Sequence, residues 1–452
     1  MRKYFGTDGV RGIANTELTP DLAFRLGRAG AYVLQRHSEN KEGKTTVFIG
    51  SDTRISKDML SSAIAAGVMS VGGDAIDIGV APTPAIAYLT KKHRADAGIV
   101  ISASHNPMEY NGIKFFNSKG LKLDDSIELE IESYLDDMDR IDTVFSHENI
   151  GMRVYNEGYV REYEDFLSGV LKSDLKGFKV TLDCANGASY KVAPHVFEKL
   201  GAEVKCISND PDGTNINRNC GSTHPENLCR AVIENGSDIG LAYDGDADRL
   251  IAVDENGNVI DGDKIMLICA KYLKKIGKLK SDKLVVTVMS NLGLHVASER
   301  EGIKLEVTSV GDRYVLENML ENGYSLGGEQ SGHMIFLDYN TTGDGVLSSL
   351  ILSEIIKESG KKLSELATIM EIFPQVLINA KVRNENKNAY MTDEIIKNEI
   401  SKLESEMDGR GRVLIRPSGT EPLVRVMLEG QDKDIITQMA RKLADLIEQR
   451  LG

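Results

Sequence analysis

Three aspartates stand close together in the segment 244–249, which reads DGDADR. Asp244, Asp246 and Asp248 alternate with small residues, and Arg249 follows them. Carboxylates spaced in this way can converge on one hard cation, and Mg²⁺ and Ca²⁺ both prefer oxygen ligands. A merely solvated turn is disfavoured, because three like charges so close together repel one another without a cation between them. The segment therefore predicts a metal site.

A calcium EF-hand loop is the alternative for this segment. The aspartates occupy its first, third and fifth positions, and Glu255 occupies its twelfth. The sixth position of such a loop needs glycine, whereas this chain has Arg249 there. An EF-hand also needs a helix on each side, but the apolar runs 239–242 and 250–253 read as strands. We therefore expect Mg²⁺.

A second candidate site is the loop SASHNP, which follows the apolar run 98–101. Its Asn-Pro pair marks a turn, so Ser104 stands at the C-terminal end of a strand, where open α/β sheets bind ligands. Ser104 is either a turn residue or a nucleophile that carries a phosphoryl group. His105 is either its base or a structural histidine. Lys114, on the next strand, is either an acid/base or phosphate ligand or a lysine that reaches solvent.

Two glycine-containing loops complete the candidate chemistry. The segment 327–333 reads GGEQSGH and combines a carboxylate with neutral hydrogen-bonding groups, which suits sugar hydroxyls, although a flexible turn would have a similar composition. The segment 416–422 reads RPSGTEP, and Arg425 follows it. Hydroxyls, guanidinium groups and exposed backbone N–H groups suit a phosphate dianion.

The elements that must position these loops follow a repeated pattern. Short apolar strands flank helical stretches at three places in the chain, with the strand pairs at 47–50 and 72–79, 180–183 and 201–208, and 285–288 and 302–311. Strand, helix and strand at this spacing predict βαβ units in a mixed or parallel sheet. We therefore expect three similar α/β domains.

The C-terminal part of the chain differs from this pattern. It reads as a small α+β domain with a strand at 374–383, a helix at 391–405, two strands within 412–428 and a final helix at 432–451. We therefore predict four domains that meet at a central cleft. The first two predicted domains are 1–152, with the serine loop (102–107), and 153–254, with the acidic loop (244–249). The other two are 255–369, with the sugar loop (327–333), and 370–452, with the phosphate loop (416–422).

Bulk composition excludes several classes of function. The chain has 452 residues, too many for a single hydrophobic core, since such cores stop growing at roughly 250–300 residues. Its net charge is −14, without the basic stripe of a nucleic-acid binder. No apolar run approaches the roughly 20 residues of a membrane span, and no signal peptide follows the start, so we expect a cytoplasmic protein. The five cysteines include no C-x-x-C pair, which favours reduced thiols.

Taken together, the four motifs and the opening segment 5–12, FGTDGVRG, resemble the α-D-phosphohexomutase family over essentially the whole chain. The resemblance implies a phosphoserine at Ser104, which also completes the metal site with the three aspartates. It implies that Arg249 contacts this serine, and that Arg11 and Lys114 stabilise charge or perform acid/base work. The implied substrate ligands are Glu329 and Ser331, with His333 assisting, and Arg416, Ser418, Gly419, Thr420 and Arg425 for the non-reacting phosphate.

The resemblance also implies an isomerase that interconverts glucosamine 6-phosphate and glucosamine 1-phosphate through a 1,6-bisphosphate. It implies one Mg²⁺ per active site and a sugar 1,6-bisphosphate as activator. Members that act on mannose or glucose phosphates more often carry methionine where this chain has Gln330, so that specificity is the alternative. A non-catalytic metal or sugar-phosphate sensor is a weaker one. The expected binding partner is a sugar phosphate, and neither a nucleic acid nor a membrane is expected to bind. A homodimer is the oligomeric state that we predict.

One residue departs from the family pattern. Ala247 stands where the family usually has glycine. A single methyl group changes little, unless the backbone there needs a positive φ.

Overall fold

A computed structural model describes residues 3–6, 8–37, 44–141, 147–418 and 421–452. The chain divides into two compact units, which are described separately. The large unit comprises residues 1–289 and 303–369, and the small unit comprises residues 290–302 and 370–452. Within the described residues the strands form four sheets, three in the large unit and one in the small unit. No helix among these residues has the length and apolar character that a membrane crossing needs.

The first sheet has the order β1-β5-β4-β2-β3-β6. Its strands and the helices between them are β1 (Val10–Ile13), α1 (Pro20–His37), β2 (Thr46–Ser51), α2 (Lys57–Ser70), β3 (Asp74–Val80), α3 (Thr83–Lys92), β4 (Ala97–Ile101), β5 (Tyr110–Asn117), α4 (Asp125–Leu135) and β6 (Arg153–Tyr155). β2 pairs in parallel with β3 and β4, and β5 runs antiparallel to β4 and β1.

The second sheet has the order β11-β10-β9-β7-β8. Its elements are α5 (Gly158–Ser168), β7 (Lys179–Asp183), α6 (Ser189–Lys199), β8 (Glu203–Ile207), α7 (Glu226–Asn235), β9 (Ile239–Tyr243), β10 (Leu250–Asp254) and β11 (Val259–Ile260). β7 pairs in parallel with β8 and β9, and β10 returns antiparallel to β9.

The third sheet has the order β13-β12-β14-β15. The elements of this stretch of chain are α8 (Gly262–Lys275), β12 (Lys283–Thr287), α9 (Leu292–Arg300), β13 (Lys304–Thr308), α10 (Asp312–Asn322), β14 (Leu326–Gly328), β15 (Met334–Phe336), α11 (Gly345–Ser359) and α12 (Leu363–Leu366). α9 belongs to the small unit. β12 pairs in parallel with β13 and β14, and β15 is antiparallel to β14.

The small unit carries the antiparallel sheet β16-β18-β17. Its further elements are β16 (Gln375–Lys381), α13 (Glu394–Met407), β17 (Gly411–Pro417), β18 (Leu423–Gly430) and α14 (Lys433–Leu451). Short 3₁₀ turns occupy Met138–Arg140, Lys280–Asp282, Ala367–Ile369, Asn384–Asn386 and Ala389–Met391. The expected α/β class, with three similar α/β sheets and a smaller C-terminal α+β part, is confirmed.

The first three sheets share one arrangement. In each of these sheets three neighbouring strands run parallel, and the next strand in the chain runs antiparallel beside the last of them. The matching strand orders are β3-β2-β4-β5, β8-β7-β9-β10 and β13-β12-β14-β15. The loop before the returning strand is the serine loop in the first sheet, the acidic loop in the second and the sugar loop in the third. Each loop thus leaves the carboxyl end of a parallel strand, where such sheets bind ligands.

The predicted domain bounds stay predictions, but the sheets run past two of them. β6 pairs with β3 and extends the first sheet to Tyr155, beyond the predicted end at residue 152. β11 pairs with β10 and extends the second sheet to Ile260, beyond residue 254. Both strands are very short, so neither shows the alternating pattern by which longer strands are recognised in a sequence.

Close packing of α1 against α2 supports the first sheet, and it depends on small residues. An added Cβ at Gly67 would lie 2.2 Å from the backbone oxygen of Phe24 and 2.6 Å from the nitrogen of Arg28. These are backbone atoms of the facing helix, so a side chain here forces the helices apart.

We expect Gly67→Ala to lower the free energy of unfolding by about 1–3 kcal/mol, the usual cost of overpacking. Gly169→Ala is the matched control, because its φ is −82° and the nearest atom to its added Cβ is 3.4 Å away. It should change the free energy by no more than about 0.5 kcal/mol. Urea unfolding of both variants checks the prediction, and equal effects would contradict the packing argument.

Candidate active site

Ser104 lies at the meeting point of the serine loop and the acidic loop. It is buried, and its Oγ donates a hydrogen bond to Asp244 Oδ2 at 2.6 Å. Its backbone is left-handed, with φ of 52°, which a residue other than glycine adopts only when its surroundings hold it there. The structure thus brings together the serine and the first aspartate, which lie on different sheets.

The three aspartates face one another inside the protein. One ligand oxygen from each of Asp244, Asp246 and Asp248 lies within 4.8 Å of the others, and all three residues are buried. Among the described residues, the Oδ1 atoms of Asp246 and Asp248 have no hydrogen-bond partner. Burial, and then the charges of Asp248 and Asp246, raise the pKa of Asp244 well above its usual range. Free carboxylate oxygens in a crowded anionic cluster fit a hard divalent cation.

Ala247, between the last two aspartates, has a φ of 57°. The position therefore does require the left-handed region, and the family's usual glycine would adopt it without strain. Alanine is held there because its N–H donates to Asp244 O at 3.1 Å and its carbonyl accepts from Gly345 N–H at 2.9 Å. The departure from the family pattern thus carries a backbone cost of about 1–2 kcal/mol.

Lys114 does not reach solvent; its side chain is 2% exposed. Its Nζ donates to Asp246 Oδ2 at 2.8 Å and lies 3.0 Å from Asp8 Oδ2. Thr83 Oγ1 donates to the same Asp246 oxygen at 2.6 Å. Burial opposes the charged form of Lys114, but the carboxylates of Asp246 and Asp8 outweigh it and raise the lysine's pKa. Lys114 is therefore a fixed positive charge beside the acidic loop.

Arg249 meets the serine by way of His105. Its Nη1 donates to His105 Nδ1 at 3.1 Å, and that nitrogen lies 3.3 Å from Ser104 Oγ. Burial, followed by the charges of Arg249 and Arg11, lowers the pKa of His105 and favours the neutral ring. His105 Nδ1 therefore accepts from Arg249 and lies beside Ser104 Oγ. Both roles expected for His105, the base and the structural histidine, stay predictions.

His333 is buried between two acidic groups. Its Nδ1 lies 3.5 Å from Asp248 Oδ2, and its Nε2 lies 3.4 Å from Asp312 Oδ2. Gly343 N–H donates to Nε2 at 3.1 Å, and a Cβ at 343 would lie 2.4 Å from the ring. Burial alone would lower the pKa of His333, but the charges of Asp248 and Asp312 raise it. The ring is thus closely confined beside the acidic loop.

Sequence reasoning missed a set of charged residues that connect these side chains. Lys122 Nζ lies 2.7 Å from Asp8 Oδ1 and 2.5 Å from Asp312 Oδ2. Asp8 Oδ2 accepts from Arg11 Nη2 at 2.5 Å. Burial opposes the ionisation of Asp8, but Lys114, Lys122 and Arg11 lower its pKa well below its usual range. Asp8 stands within the opening motif, so its type and place were a usable signal.

The sugar loop lies directly beside the acidic loop. Leu250 N–H donates to Gly332 O at 3.0 Å, and a β-bridge joins Arg249 to His333. Gln330 Nε2 donates at 3.1 Å to Asp261, which caps the N-terminus of α8. The loop is therefore fixed at both edges.

A cavity of about 730 Å³ opens onto these groups. Ser104, Arg11, Arg249, His333 and Glu329 all line it. Ser331 is exposed and does not belong to the lining among the described residues. The large unit thus brings together the phosphoserine candidate, the metal candidates, three of the expected cations and one of the two expected sugar ligands.

The expected phosphate ligands lie in the small unit. Arg416 on β17 and Arg425 on β18 are directly opposite each other in the antiparallel ladder. Burial and the charge of Arg425 lower the pKa of Arg416. Like charges directly opposite are unfavourable in a sheet, so the pair suits an anion. Ser418 is buried, and its carbonyl accepts from Lys387 Nζ at 3.0 Å; this lysine was not expected.

The remaining two expected phosphate ligands, Gly419 and Thr420, lie outside the described residues. Their assignment rests on the sequence motif alone.

Comparison with known proteins shows the family to which the chain belongs. Models of the phosphoglucomutase/phosphomannomutase family match four segments: alpha/beta/alpha domain I at residues 2–141, domain II at 157–257, domain III at 261–373 and the C-terminal domain at 377–446. The phosphoglucosamine mutase of Clostridioides difficile is 62% identical over 452 residues, which is 100% of both chains. That of Clostridium acetobutylicum is 58% identical over 450 residues, again 100% of both.

Solved structures share the fold at low identity. A phosphoglucomutase/phosphomannomutase family protein from Burkholderia thailandensis has a TM-score of 0.81 and 24% identity, covering 99% of this chain and 98% of its own. N-acetylphosphoglucosamine mutase from Aspergillus fumigatus, solved with GlcNAc-6P and magnesium, has a TM-score of 0.71 and 17% identity, covering 100% and 96%. On its sequence, its four matched domains and its fold, the chain belongs to the phosphoglucomutase/phosphomannomutase family of α-D-phosphohexomutases.

Proposed function

We propose that this chain is a phosphoglucosamine mutase, an isomerase that interconverts glucosamine 6-phosphate and glucosamine 1-phosphate. Its full-length identity of 62% to a curated phosphoglucosamine mutase carries the proposal. The hydrogen bond from Ser104 Oγ to Asp244 supports the chemistry, because it places a hydroxyl at a cluster of carboxylates suited to a cation.

In the proposed reaction Ser104 carries the phosphoryl group. The bond from phosphorus to Ser104 Oγ breaks, and a bond to the free hydroxyl of the sugar phosphate forms, which gives the 1,6-bisphosphate. The proton of that hydroxyl balances the negative charge left on Ser104 Oγ, so that the serine ends as a hydroxyl; the return step moves a proton in the opposite sense. After the bisphosphate reverses its orientation, its other phosphoryl group returns to Ser104 and the isomeric monophosphate leaves.

The metal in this proposal is one Mg²⁺, held by Asp244, Asp246, Asp248 and Ser104. When bound, it supplies positive charge at the oxygens of the transferring phosphoryl group. The unpartnered Oδ1 atoms of Asp246 and Asp248 support this assignment.

The protein's own cations complete the charge balance. Phosphoryl transfer depends on positioning and electrostatic stabilisation more than on covalent chemistry by side chains. Arg11 and Arg249 line the same cavity as Ser104, and Lys114 holds Asp246 in place. Because its pKa is raised, Lys114 keeps its proton and acts as a fixed positive charge and hydrogen-bond donor, neither as a base nor as an acid. His333, confined beside Asp248, orients that carboxylate.

Two groups of residues recognise the substrate in this proposal. Glu329 and Ser331 bind sugar hydroxyls. Arg416, Ser418, Gly419, Thr420 and Arg425 bind the non-reacting phosphate. The substrate must bind in two opposite orientations, and a phosphate dianion presents the same chemistry in both. Recognition by arginines therefore tolerates the reversal.

Further features of the proposed enzyme follow from this reaction. A sugar 1,6-bisphosphate acts as activator, because it restores the phosphoryl group on Ser104. Sugar-phosphate chemistry and five unpaired cysteines support a cytoplasmic location, where the product supplies amino sugars for cell-wall precursors.

We also propose a homodimer. The support is the edge strand β6, whose Val154 and Tyr155 side chains are exposed.

A coupled mutase assay tests the proposed substrate. The purified protein with Mg²⁺ and a trace of glucose 1,6-bisphosphate should show a higher kcat/KM for glucosamine 6-phosphate than for glucose 1-phosphate or mannose 1-phosphate. We expect at least a tenfold preference, which corresponds to about 1.4 kcal/mol. A preference for mannose or glucose phosphate would keep the mechanism but refute the amino-sugar assignment.

We expect Arg416→Ala to raise KM for glucosamine 6-phosphate more than it lowers kcat. Loss of charge-assisted hydrogen bonds of about 1.5–3 kcal/mol corresponds to an increase of roughly 10- to 150-fold. The melting temperature should not fall, because the substitution removes repulsion from Arg425. Arg410→Ala is the control, since Arg410 is exposed in the same unit and should leave both constants unchanged. An unchanged KM in Arg416→Ala would refute this role.

A further inference from the structure

The backbone of Ser104 needs support that its own sequence does not provide. A residue other than glycine at φ of 52° is in a sparsely populated region, and such conformations persist only where the surrounding structure imposes them. One side chain that contacts this backbone is Arg54, which is completely buried and therefore cannot touch a substrate.

The Arg54 guanidinium is directed at the carbonyl groups of the serine loop. Its Nη2 donates to Ser104 O at 3.0 Å and to Asn106 O at 2.7 Å. Its Nη1 donates to Pro107 O and, at 3.0 Å, to Tyr110 O. One rigid, planar fork thus fixes four carbonyl groups within a single turn of chain, which a flexible ammonium group cannot do.

The opposite side of Ser104 is tied to the same arginine. Arg54 Nε donates to Asp52 Oδ2 at 2.9 Å, and Ser102 Oγ donates to that oxygen at 2.6 Å. Ser104 N–H in turn donates to Ser102 Oγ at 3.0 Å. The N–H and the carbonyl of Ser104 are therefore both held by one network.

A residue of the loop between β8 and α7 completes the support. Asn217 Nδ2 donates to Ser104 O at 2.8 Å and to Asn106 O at 3.1 Å. The serine loop is therefore fixed relative to the acidic loop as well as within its own sheet. These hydrogen bonds hold only the backbone of Ser104. Its side-chain Oγ takes no part in them and donates to Asp244.

We propose that Arg54 is the positioning residue for Ser104, holding the loop so that the serine oxygen stays at the carboxylates while it gives up and regains the phosphoryl group. The inference rests on the proposed phosphoserine chemistry. It assigns no contact with substrate to Arg54. A buried charge is expensive unless it is fully hydrogen-bonded, and here the bonds of the guanidinium go to this loop and to Asp52.

Arg54→Lys tests the proposal, because it keeps the charge and removes the fork. The enzyme is first phosphorylated with glucose 1,6-bisphosphate, and the phosphoserine is observed by ³¹P NMR. We expect kcat to fall about 100-fold, as for a misplacement of about 1 Å, while KM for glucosamine 6-phosphate changes less than about threefold. The ³¹P resonance should shift or split. A kcat and resonance like those of the wild type would overturn the proposal.

Ile64→Val is the matched control for stability, since Ile64 is a buried core residue on α2 in the same sheet domain. It should lower the melting temperature without moving the ³¹P resonance or kcat. If Arg54→Lys does not fold, Ser102→Ala replaces it, because this small change breaks the link from Asp52 to Ser104 N–H. Wild-type kcat and an unmoved resonance in Ser102→Ala would then overturn the proposal. A wild-type protein without phosphoserine or mutase activity would instead refute the proposed function.

Discussion

The mutual repulsion of three buried carboxylates is the constraint around which this site is built. Asp244, Asp246 and Asp248 are buried and lie close together, so negative charges on them repel one another unless positive charge is near. Lys114 and Arg249 provide it from two sides, and His333 lies against the third aspartate. The Oδ1 atoms of Asp246 and Asp248, which have no hydrogen-bond partner among the described residues, would be available to a divalent cation. A cation bound there would lie beside Ser104, and the proposed phosphoryl transfer depends on that placement.

The repeated sheets explain how such distant parts of the chain meet. Each of the first three sheets turns from a parallel strand into an antiparallel one, and each places one functional loop at that turn. The serine loop and the acidic loop are joined by the hydrogen bond from Ser104 to Asp244, and the acidic loop and the sugar loop by the bridge from Arg249 to His333. Three copies of one arrangement thus position the proposed phosphoryl carrier, the proposed cation site and a proposed sugar ligand.

Much of the fold and of the site could be predicted from the sequence because the decisive residues are contiguous. The strands and helices of all three βαβ units lie close to where the sequence pattern predicts them. The spacing of the three aspartates is by itself enough to predict an acidic metal site. Lys122, Asp312 and Arg54 could not be predicted in this way. Each is an ordinary charged residue in sequence and acquires its role only from partners far along the chain, as Lys122 does from Asp8 and Asp312. The burial of Lys114 and the left-handed backbone of Ala247 are likewise consequences of tertiary structure, which a local pattern does not contain.

The most direct test of this account is a single-turnover transfer experiment. Protein labelled with ³²P on Ser104 is mixed with excess unlabelled glucosamine 6-phosphate and Mg²⁺, quenched within one turnover, and separated into protein, sugar bisphosphate and inorganic phosphate. We predict that the label leaves the protein, appears first in the 1,6-bisphosphate and then in glucosamine 1-phosphate, and that Ser104→Ala takes up no label at all. Label that stays on the protein, or that appears only as inorganic phosphate, would contradict the account.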